Sequence, residues 1–206
     1  TVSKSSPVSP ELMAFTMPVC KSVKRSLVGF GLLLVVGAAV AQTGGFRVSE
    51  VGAEAEDGLL MVNARVDYAL GATVTEALEN GVALVISQTA HLERARWWWR
   101  NALVVDQQRR YRLQYHAMSR RYVLTRLSNG ESRSFRSLDA LLARLGNVEG
   151  WPLLPRDQLT TGTDYRVGFV SALELEALPR LLRTVALVDS QWKLRSQTLE
   201  QAVTLP

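Results

Sequence analysis

The sequence predicts a mainly β domain, an antiparallel sandwich or curved sheet with two short helices, preceded by an export signal. Several segments alternate apolar and polar residues with a period of two, which is typical of half-buried strands. Turn signals separate neighbouring segments, which favours antiparallel pairing over a doubly wound parallel sheet. The chain has 206 residues, of which 47% are hydrophobic and 21% charged, so its composition is that of a globular protein.

A charge-free apolar run covers residues 27–40, after a start at Met13 or Met17. The positive residues before the run are Lys21, Lys24 and Arg25, and the small-x-small cleavage pattern is formed by Ala39, Ala41 and Gln42. Because a bilayer needs about 20 apolar residues, this shorter run predicts a cleaved signal peptide. We therefore expect N-terminal excess and signal over 1–41, and one β-rich domain without a transmembrane helix over 42–206. The expected location is periplasmic or secreted, and an uncleaved signal that anchors the domain to the inner membrane is the alternative.

In the first half of the domain, apolar residues alternate with polar ones over residues 59–68, which predicts a strand. Thr73 and Glu76 have the spacing of a capping box, so a two-turn helix should begin there and end at Gly81. Residues 82–90 then form an apolar run that predicts a buried strand.

The second half begins with alternating residues at 111–117, followed by a turn and a strand over 121–127. Asn129-Gly130 predicts a tight hairpin turn into a short strand that reaches Phe135. Ser137 should cap a second helix that Gly146 ends. Its apolar face consists of Leu138, Leu141, Leu142 and Leu145.

Towards the C-terminus, residues 152–162 are interpreted as a surface loop. Alternation at Tyr165, Val167 and Phe169 predicts another strand, and Leu178-Pro179 should start a short helical turn. Residues 185–194 are expected to form the final strand.

The motif search identifies no catalytic, cofactor-binding or metal-binding residue. There is no phosphate-binding glycine loop, zinc motif or nucleophile motif, and the single cysteine, Cys20, precedes the predicted cleavage point. His91 and His116 both fall in strand patterns, where a polar edge residue is commoner than a catalytic base. The acidic group at 54–57 could bind a cation, but a solvated turn is the commoner arrangement and it lacks the ligand spacing of a calcium loop. We expect a protein without cofactor and without enzymatic activity.

One feature that exceeds background is a cluster of tryptophan and arginine. Its residues are Arg96, Trp97, Trp98, Trp99 and Arg100. In a strand, Trp98 faces opposite to its two neighbours, so all three indoles cannot enter one core face. The cluster is therefore a candidate partner-binding surface, with a Trp cluster that closes the end of the sandwich as the structural alternative.

The other feature is an excess of arginine on the predicted hairpins. Residues 91–144 contain twelve Arg against four acidic residues, whereas the chain after residue 41 has a net charge of only +2. Arg110, Arg112 and Arg121 are candidate anion-binding residues, because a guanidinium binds phosphate or carboxylate in a bidentate manner. Lipid head groups suit this site better than nucleic acid, since nucleic-acid binders are usually more basic. A solvated face whose arginines pair with nearby acids is the structural alternative.

A series of short motifs resembles the Gram-negative bacterial family of exported proteins called domain of unknown function 4390. In chain order they are Ala77-Leu78-Glu79-Asn80-Gly81-Val82, Arg96-Trp97-Trp98-Trp99, Arg112-Leu113-Gln114-Tyr115, Phe135-Arg136-Ser137-Leu138-Asp139-Ala140-Leu141, Leu178-Pro179 and Ser190-Gln191-Trp192. The resemblance covers about residues 46–195. It implies an exported protein with no established activity, and the frequent proximity of the family's genes to those of a membrane sensor kinase suggests a partner.

Three functional hypotheses remain open. The first is a non-catalytic interaction module with an envelope protein partner, accessory to a membrane sensor kinase or an envelope assembly. The second is a protein that binds anions or lipid head groups through its Arg-rich strand face. The third is an unrecognised hydrolase, which would need a cleft with a perturbed carboxylate or histidine.

Overall fold

Two antiparallel sheets and three helices form the part of the chain that the computed structural model describes, residues 44–96 and 101–203. The strands are β1 (Gly45–Glu56), β2 (Leu59–Ala69), β3 (Leu84–Arg94), β4 (Ala102–His116), β5 (Arg121–Arg126), β6 (Ser132–Phe135), β7 (Asn147–Pro155), β8 (Tyr165–Leu173) and β9 (Leu199–Val203). The helices are α1 (Ala72–Glu79), α2 (Leu138–Gly146) and α3 (Arg180–Val188), and 3₁₀ turns occur at Arg156–Gln158, Leu175–Ala177 and Ser190–Trp192. The predicted mainly β fold is confirmed. The predicted signal peptide and its cleavage point lie outside the described residues.

The smaller sheet has the strand order β1-β2-β7, and the larger one has the order β6-β5-β4-β3-β8-β9. The two sheets face each other across an apolar core, to which β1, β2 and β7 contribute from one side and β3 and β8 from the other. Trp151 and Phe169 meet edge to face in this core, with ring centroids 6.0 Å apart. The period-two pattern of β2 follows from this arrangement, because every second side chain enters the core.

A second apolar core lies between the helices and one end of the larger sheet. Leu78 of α1, Leu141 of α2 and Ala186 of α3 are fully buried there, together with Ile86 and Leu113 from the sheet. The helices therefore cover the part of the large sheet that the smaller sheet does not.

Polar side chains connect the two cores. Gln88 is fully buried and donates from Nε2 to the Tyr68 hydroxyl, at 2.8 Å, and to the carbonyl oxygen of Leu145, at 2.9 Å. The Tyr68 hydroxyl also lies 2.8 Å from Ser171 Oγ, which donates to the carbonyl oxygen of Ser87. Since Ser171 uses its proton on that carbonyl, Tyr68 must donate to Ser171. We call Tyr68, Gln88 and Ser171 the buried polar network.

The first helix begins differently from the prediction. Gly71, rather than Thr73, is its N-cap residue, and no side chain caps it. Since the helix begins at Ala72, Thr73 already lies in the first turn and donates to Gln191 Oε1 instead. The predicted capping box is therefore wrong. The predicted end is confirmed, because Gly81 has a φ of 89° and the amides of Gly81 and Val82 close a Schellman motif on α1.

The second helix starts and ends as predicted. Ser137 Oγ accepts a hydrogen bond from the amide of Ala140 at 3.3 Å, which is an N-cap. Gly146 is the last helical residue, but the reason is steric rather than conformational. A Cβ on Gly146 would lie 2.1 Å from the carbonyl oxygen of Val66, so only glycine lets the helix approach β2 this closely.

Two assignments near the C-terminus are wrong. Residues 185–194 do not form a strand: α3 continues to Val188, and a 3₁₀ turn buries Trp192. The final strand is β9, further along the chain. Residues 152–155 are not loop either, because β7 runs to Pro155. This strand is an edge of the smaller sheet, where proline costs no ladder hydrogen bond on the open side.

Candidate functional site

The predicted Trp–Arg cluster falls mostly outside the described part of the chain. Trp97, Trp98, Trp99 and Arg100 belong to the residues that are not described, and Arg96 is exposed just after β3. Its role in partner binding stays a prediction.

The predicted anion-binding residues share the outer face of the large sheet, which points away from the smaller sheet. Arg110 pairs with Ser87 and Arg112 with Thr125, and Arg121 pairs with His116 near the end of β4. Arg110 binds Glu174 in a bidentate manner, with Nε 2.8 Å from Oε1, and this hydrogen bond raises the pKa of Arg110. The fork of Arg110 is therefore engaged by a carboxylate of the same chain, and anion binding by this face stays a prediction.

An exposed apolar surface on α3 was not expected from the sequence. Leu181, Val185, Leu187 and Val188 are 89%, 57%, 54% and 84% exposed. In the described ranges, seven large apolar side chains are exposed, and these four are on α3. Leu181, Val185 and Val188 follow each other at helical spacing, so they form a row along the helix. We call these three residues the apolar stripe; Leu187 lies outside it, about 160° around the helix from Val185.

The opposite side of α3 fixes the helix to the domain. Ala186 is buried in the second core, and Leu182 is half-buried. Arg183 donates to the carbonyl oxygens of Glu176 and Leu178, which satisfies two acceptors next to the start of the helix. The helix is thus apolar on two sides and buries only one. Sequence reasoning missed this because it assigned residues from 185 onward to a strand.

A cleft lies between the inner face of the large sheet and the corner where α2 meets β7. It has a volume of about 140 Å³. The residues that line it are Arg109, Tyr111, Leu124, Arg126, Glu131, Arg133, Arg144, Leu145, Asn147, Val148 and Glu149. We call it the arginine cleft, because four arginines from β4, β5, β6 and α2 converge there.

The alternation of side chains along β4 explains why Arg109 lines the cleft and Arg110 does not. Register places Arg109 opposite Gln88, which is fully buried, while Arg110 faces outward opposite Ser87. Arg126 pairs with Tyr111 and Arg133 with Leu124, which are also on the inner face. Alternation along each strand could have separated these two sets of arginines, but only register shows that three strands bring the inner set together.

Aromatic rings hold two of the cleft arginines. The Arg109 guanidinium lies 4.1 Å from the centre of the Trp151 ring, and that of Arg126 lies 5.8 Å from the Tyr111 ring. Burial lowers the pKa of Arg109, which nonetheless stays charged because an arginine titrates far above neutrality. Gln107 fixes the indole in turn, accepting from Trp151 Nε1 at 3.1 Å.

Hydrogen bonds within the cleft engage Arg133 and Arg144. Arg133 donates from Nε and Nη2 to Glu131 Oε1, at 3.1 and 2.8 Å. These bonds, and the charge of Arg133, hold the pKa of Glu131 below its usual value. Arg144 donates to the carbonyl oxygen of Asn147 at 3.1 Å, and the Asn147 amide donates to Glu149. In the described part of the chain, no carboxylate lies within ion-pair distance of Arg109, Arg126 or Arg144.

Metal chemistry finds no support in the described ranges. They contain no group of three or more His, Cys, Asp or Glu side chains arranged to hold a metal ion. The acidic residues Glu54, Glu56 and Asp57 are exposed at the turn between β1 and β2. A separate finding is that none of the described helices is both long and apolar enough to cross a membrane.

The fold and these surfaces define a two-sheet, mainly β domain with an apolar stripe and an arginine cleft. The chain belongs to the family described as Domain of unknown function (DUF4390), whose model matches residues 43–201. The family resemblance seen in the sequence motifs is thereby confirmed. No curated protein and no solved structure matches the chain.

Proposed function

We propose that this chain is a non-catalytic interaction domain of the bacterial cell envelope, exported by its N-terminal signal and located in the periplasm. The charge-free run at 27–40 and the pattern Ala39-Val40-Ala41 support export. The family resemblance suggests that the partner belongs to a membrane sensor kinase or an envelope assembly. The domain contributes binding rather than chemistry.

The observation that carries this proposal is the apolar stripe. Single exposed apolar side chains are common on monomeric proteins, but contiguous ones mark surfaces that bind. Leu181 and Val188 expose more than four fifths of their surface at opposite ends of one short helix. Because this exposed row lies beside the side of α3 that is buried against the domain, a partner that covered the row would extend the apolar contact already made by the helix.

The side chains of α3 also indicate which kind of partner would fit this surface. The helix carries Arg180 and Arg183 and no carboxylate. We therefore expect a protein partner with an apolar groove or an amphipathic helix, whose acidic residues lie at the rim of the contact.

Site-specific photo-crosslinking in the native bacterium tests the proposal. A photoreactive benzoylphenylalanine at Val185 should give an adduct of defined mass with an envelope protein. The matched control carries the same group at Gln158, an exposed residue of a 3₁₀ turn, and should not give that adduct. Leu181→Glu and Val188→Glu should abolish the adduct, while Thr198→Glu, at another exposed residue, should leave it unchanged. Adducts that are absent, identical at both positions or restricted to a second copy of the chain would contradict the proposal.

The Trp–Arg cluster makes a separate prediction about the same function. If Trp98 supplies a binding hot spot, Trp98→Ala should abolish capture of the partner identified at Val185. Circular dichroism of the variant should remain that of the parent chain. Unchanged capture would assign the contact to α3 alone.

A further inference from the structure

The arginine cleft carries a second function that does not depend on the apolar stripe. We propose that it binds a single phosphate-type oxyanion, either as a free ion or as the terminal phosphate of a larger molecule. This site is distinct from the outer set of Arg110, Arg112 and Arg121, which lies on the other face of the same sheet.

The first argument is charge. Four guanidinium groups line the cleft, and only Glu131 and Glu149 oppose them. Glu131 engages Arg133, while Glu149 accepts from the Asn147 amide. The cleft therefore has two more positive than negative charges, and three of its arginines, Arg109, Arg126 and Arg144, have no carboxylate of the described chain within ion-pair distance. An oxyanion would supply the missing charge.

The second argument is an unsatisfied hydrogen-bond donor. Arg126 Nε is buried and has no partner in the described part of the chain. Since a buried donor without an acceptor is costly, the site fits an acceptor oxygen. Arg126 is the last residue of β5, and its side chain lines the cleft.

The third argument is preorganisation. Stacking on Trp151 limits the positions that Arg109 can adopt, and Trp151 itself is only 1% exposed. Binding an anion to arginines already held in place costs less side-chain entropy than ordering flexible ones.

The size of the cleft limits the ligand. Its volume of about 140 Å³ is well below the roughly 300–1,000 Å³ of sites that enclose a whole drug-sized molecule. One phosphate group fits such a space, and the rest of a larger ligand would remain outside. A lipid head group and a small phosphorylated solute share this chemistry.

Glu131 has a defined role in the proposed site. Both hydrogen bonds from Arg133 end on its Oε1, so this carboxylate takes up a guanidinium that could otherwise face the ligand. An incoming oxyanion must compete with Glu131 for Arg133. Removing the charge of Glu131 should therefore tighten anion binding.

Calorimetric titration of the full chain with inorganic phosphate and with glycerol 3-phosphate at low salt tests the proposal. We expect saturable binding that Arg133→Gln weakens about tenfold, because hydrogen bonds to charged groups contribute strongly to affinity. Arg166→Gln removes the same charge from an arginine of β8 that is 54% exposed and pairs with Glu200 outside the cleft, and it should change the affinity less than twofold. Glu131→Gln should raise it severalfold. The Arg133 side chain is 57% exposed, so its replacement should leave the fold intact.

Vesicles of phosphatidylcholine with and without phosphatidylglycerol distinguish a lipid from a soluble source of the phosphate. The Arg133→Gln and Arg166→Gln chains both retain the apolar run at 27–40, so its contribution to vesicle binding cancels in their comparison. A selective loss with Arg133→Gln on phosphatidylglycerol would identify a lipid head group, and a loss confined to the soluble probes would identify a solute. Equal effects of the two variants on every probe, or no saturable binding at all, would overturn the proposal. The crosslink at Val185 should persist in Arg133→Gln, so either proposal can fail without the other.

Discussion

At the residue scale, the buried polar network shows how a few polar groups can be placed inside an apolar core. Gln88 and Ser171 are 0% and 1% exposed, and Tyr68 connects them. All four hydrogen bonds in this group connect different elements, from β2 to β3, from β2 to β8, from β3 to α2 and from β8 to β3. The network therefore joins both sheets to a helix.

Two tyrosines, Tyr68 of the network and Tyr122 of β5, make stability sensitive to alkaline pH. Burial raises the pKa of Tyr68 to about 12, and burial together with the Glu79 carboxylate raises that of Tyr122 to about 12. Both hydroxyls stay protonated in the folded chain at pH values where they ionise in the unfolded chain. Their contribution is fully present below pH 10, the ordinary pKa, and is lost as pH rises towards 12. For Tyr68 we expect a loss of about 2–3 kcal/mol over this range.

Urea unfolding at pH 9 and pH 11.5, with tyrosine ionisation followed by absorbance, measures this effect. Tyr68→Phe should be less stable than the parent at pH 9, because it loses two buried hydrogen bonds, but it should lose less stability between the two pH values. Tyr115→Phe is the matched control, since the Tyr115 hydroxyl makes no hydrogen bond in the described part of the chain. An equal pH dependence in Tyr68→Phe and the parent would assign the alkaline loss to other groups.

At the element scale, the two helix starts provide a direct comparison. Ser137 and Thr73 both precede an apolar helical pattern and look alike in sequence, but only Ser137 caps its helix. Ser137→Ala should lower the free energy of unfolding by about 1 kcal/mol, the usual contribution of an N-cap. Thr73→Ala removes an exposed hydrogen bond to Gln191 and should cost less than half as much. Chemical denaturation of both variants checks the order, and a larger loss for Thr73→Ala would contradict the cap assignment.

The same scale shows what sequence reasoning could reach. Strands with one buried face, such as β2, were predicted because alternation reports directly on burial. The hairpin between β5 and β6 was predicted because Asn129-Gly130 supplies the positive φ of 72° that its turn needs at Gly130. Residues 185–194 were assigned to a strand because the pattern was divided at Val185, in the middle of α3, which separated the second half of the helix from its first turns. Because the second half of α3 was not predicted to be helical, the apolar stripe was not predicted either.

Sequence reasoning about the candidate sites failed at a different step. Arg126 and Arg133 belong to the arginine-rich segment that was noticed, and the preference of arginine for oxyanions does not depend on the fold. Which arginines share a surface does depend on it, because neighbouring residues of a strand face opposite ways. Arg109 and Arg110 differ by one position and end on opposite faces. Arg144 comes from a helix, so no strand pattern could have placed it in the cleft.

At the scale of the whole domain, the chain passes from one sheet to the other after each of two hairpins. The β1–β2 hairpin lies in the smaller sheet, and after α1 the chain enters the larger sheet as β3. The β5–β6 hairpin lies in the larger sheet, and after α2 the chain enters the smaller one as β7. Each sheet therefore contains a strand that comes after a hairpin of the other sheet in the chain: β3 in the larger sheet and β7 in the smaller one.

This exchange predicts that the two sheets unfold together. The core between the sheets draws residues from both of them, so loss of one sheet exposes the apolar face of the other. Urea transitions followed by tryptophan fluorescence and by far-ultraviolet circular dichroism should coincide, with one midpoint. Two separate midpoints would show that the sheets are independent units.

The buried polar network also restricts how the strands can align during folding. A slip of two residues between β3 and β8 would leave every apolar side chain on its original face, so hydrophobic burial alone distinguishes such alignments poorly. In the native alignment, Gln88 lies opposite Ser171, and a two-residue slip would place it opposite Phe169 or Leu173. Such a slip would break the buried hydrogen bonds of Gln88 Nε2, Tyr68 and Ser171, whereas in the native alignment Gln88 Oε1 is the one side-chain atom of this network without a partner in the described part of the chain. The network thus makes mispaired sheets less stable than the native one, although the apolar side chains of the core would tolerate the slip.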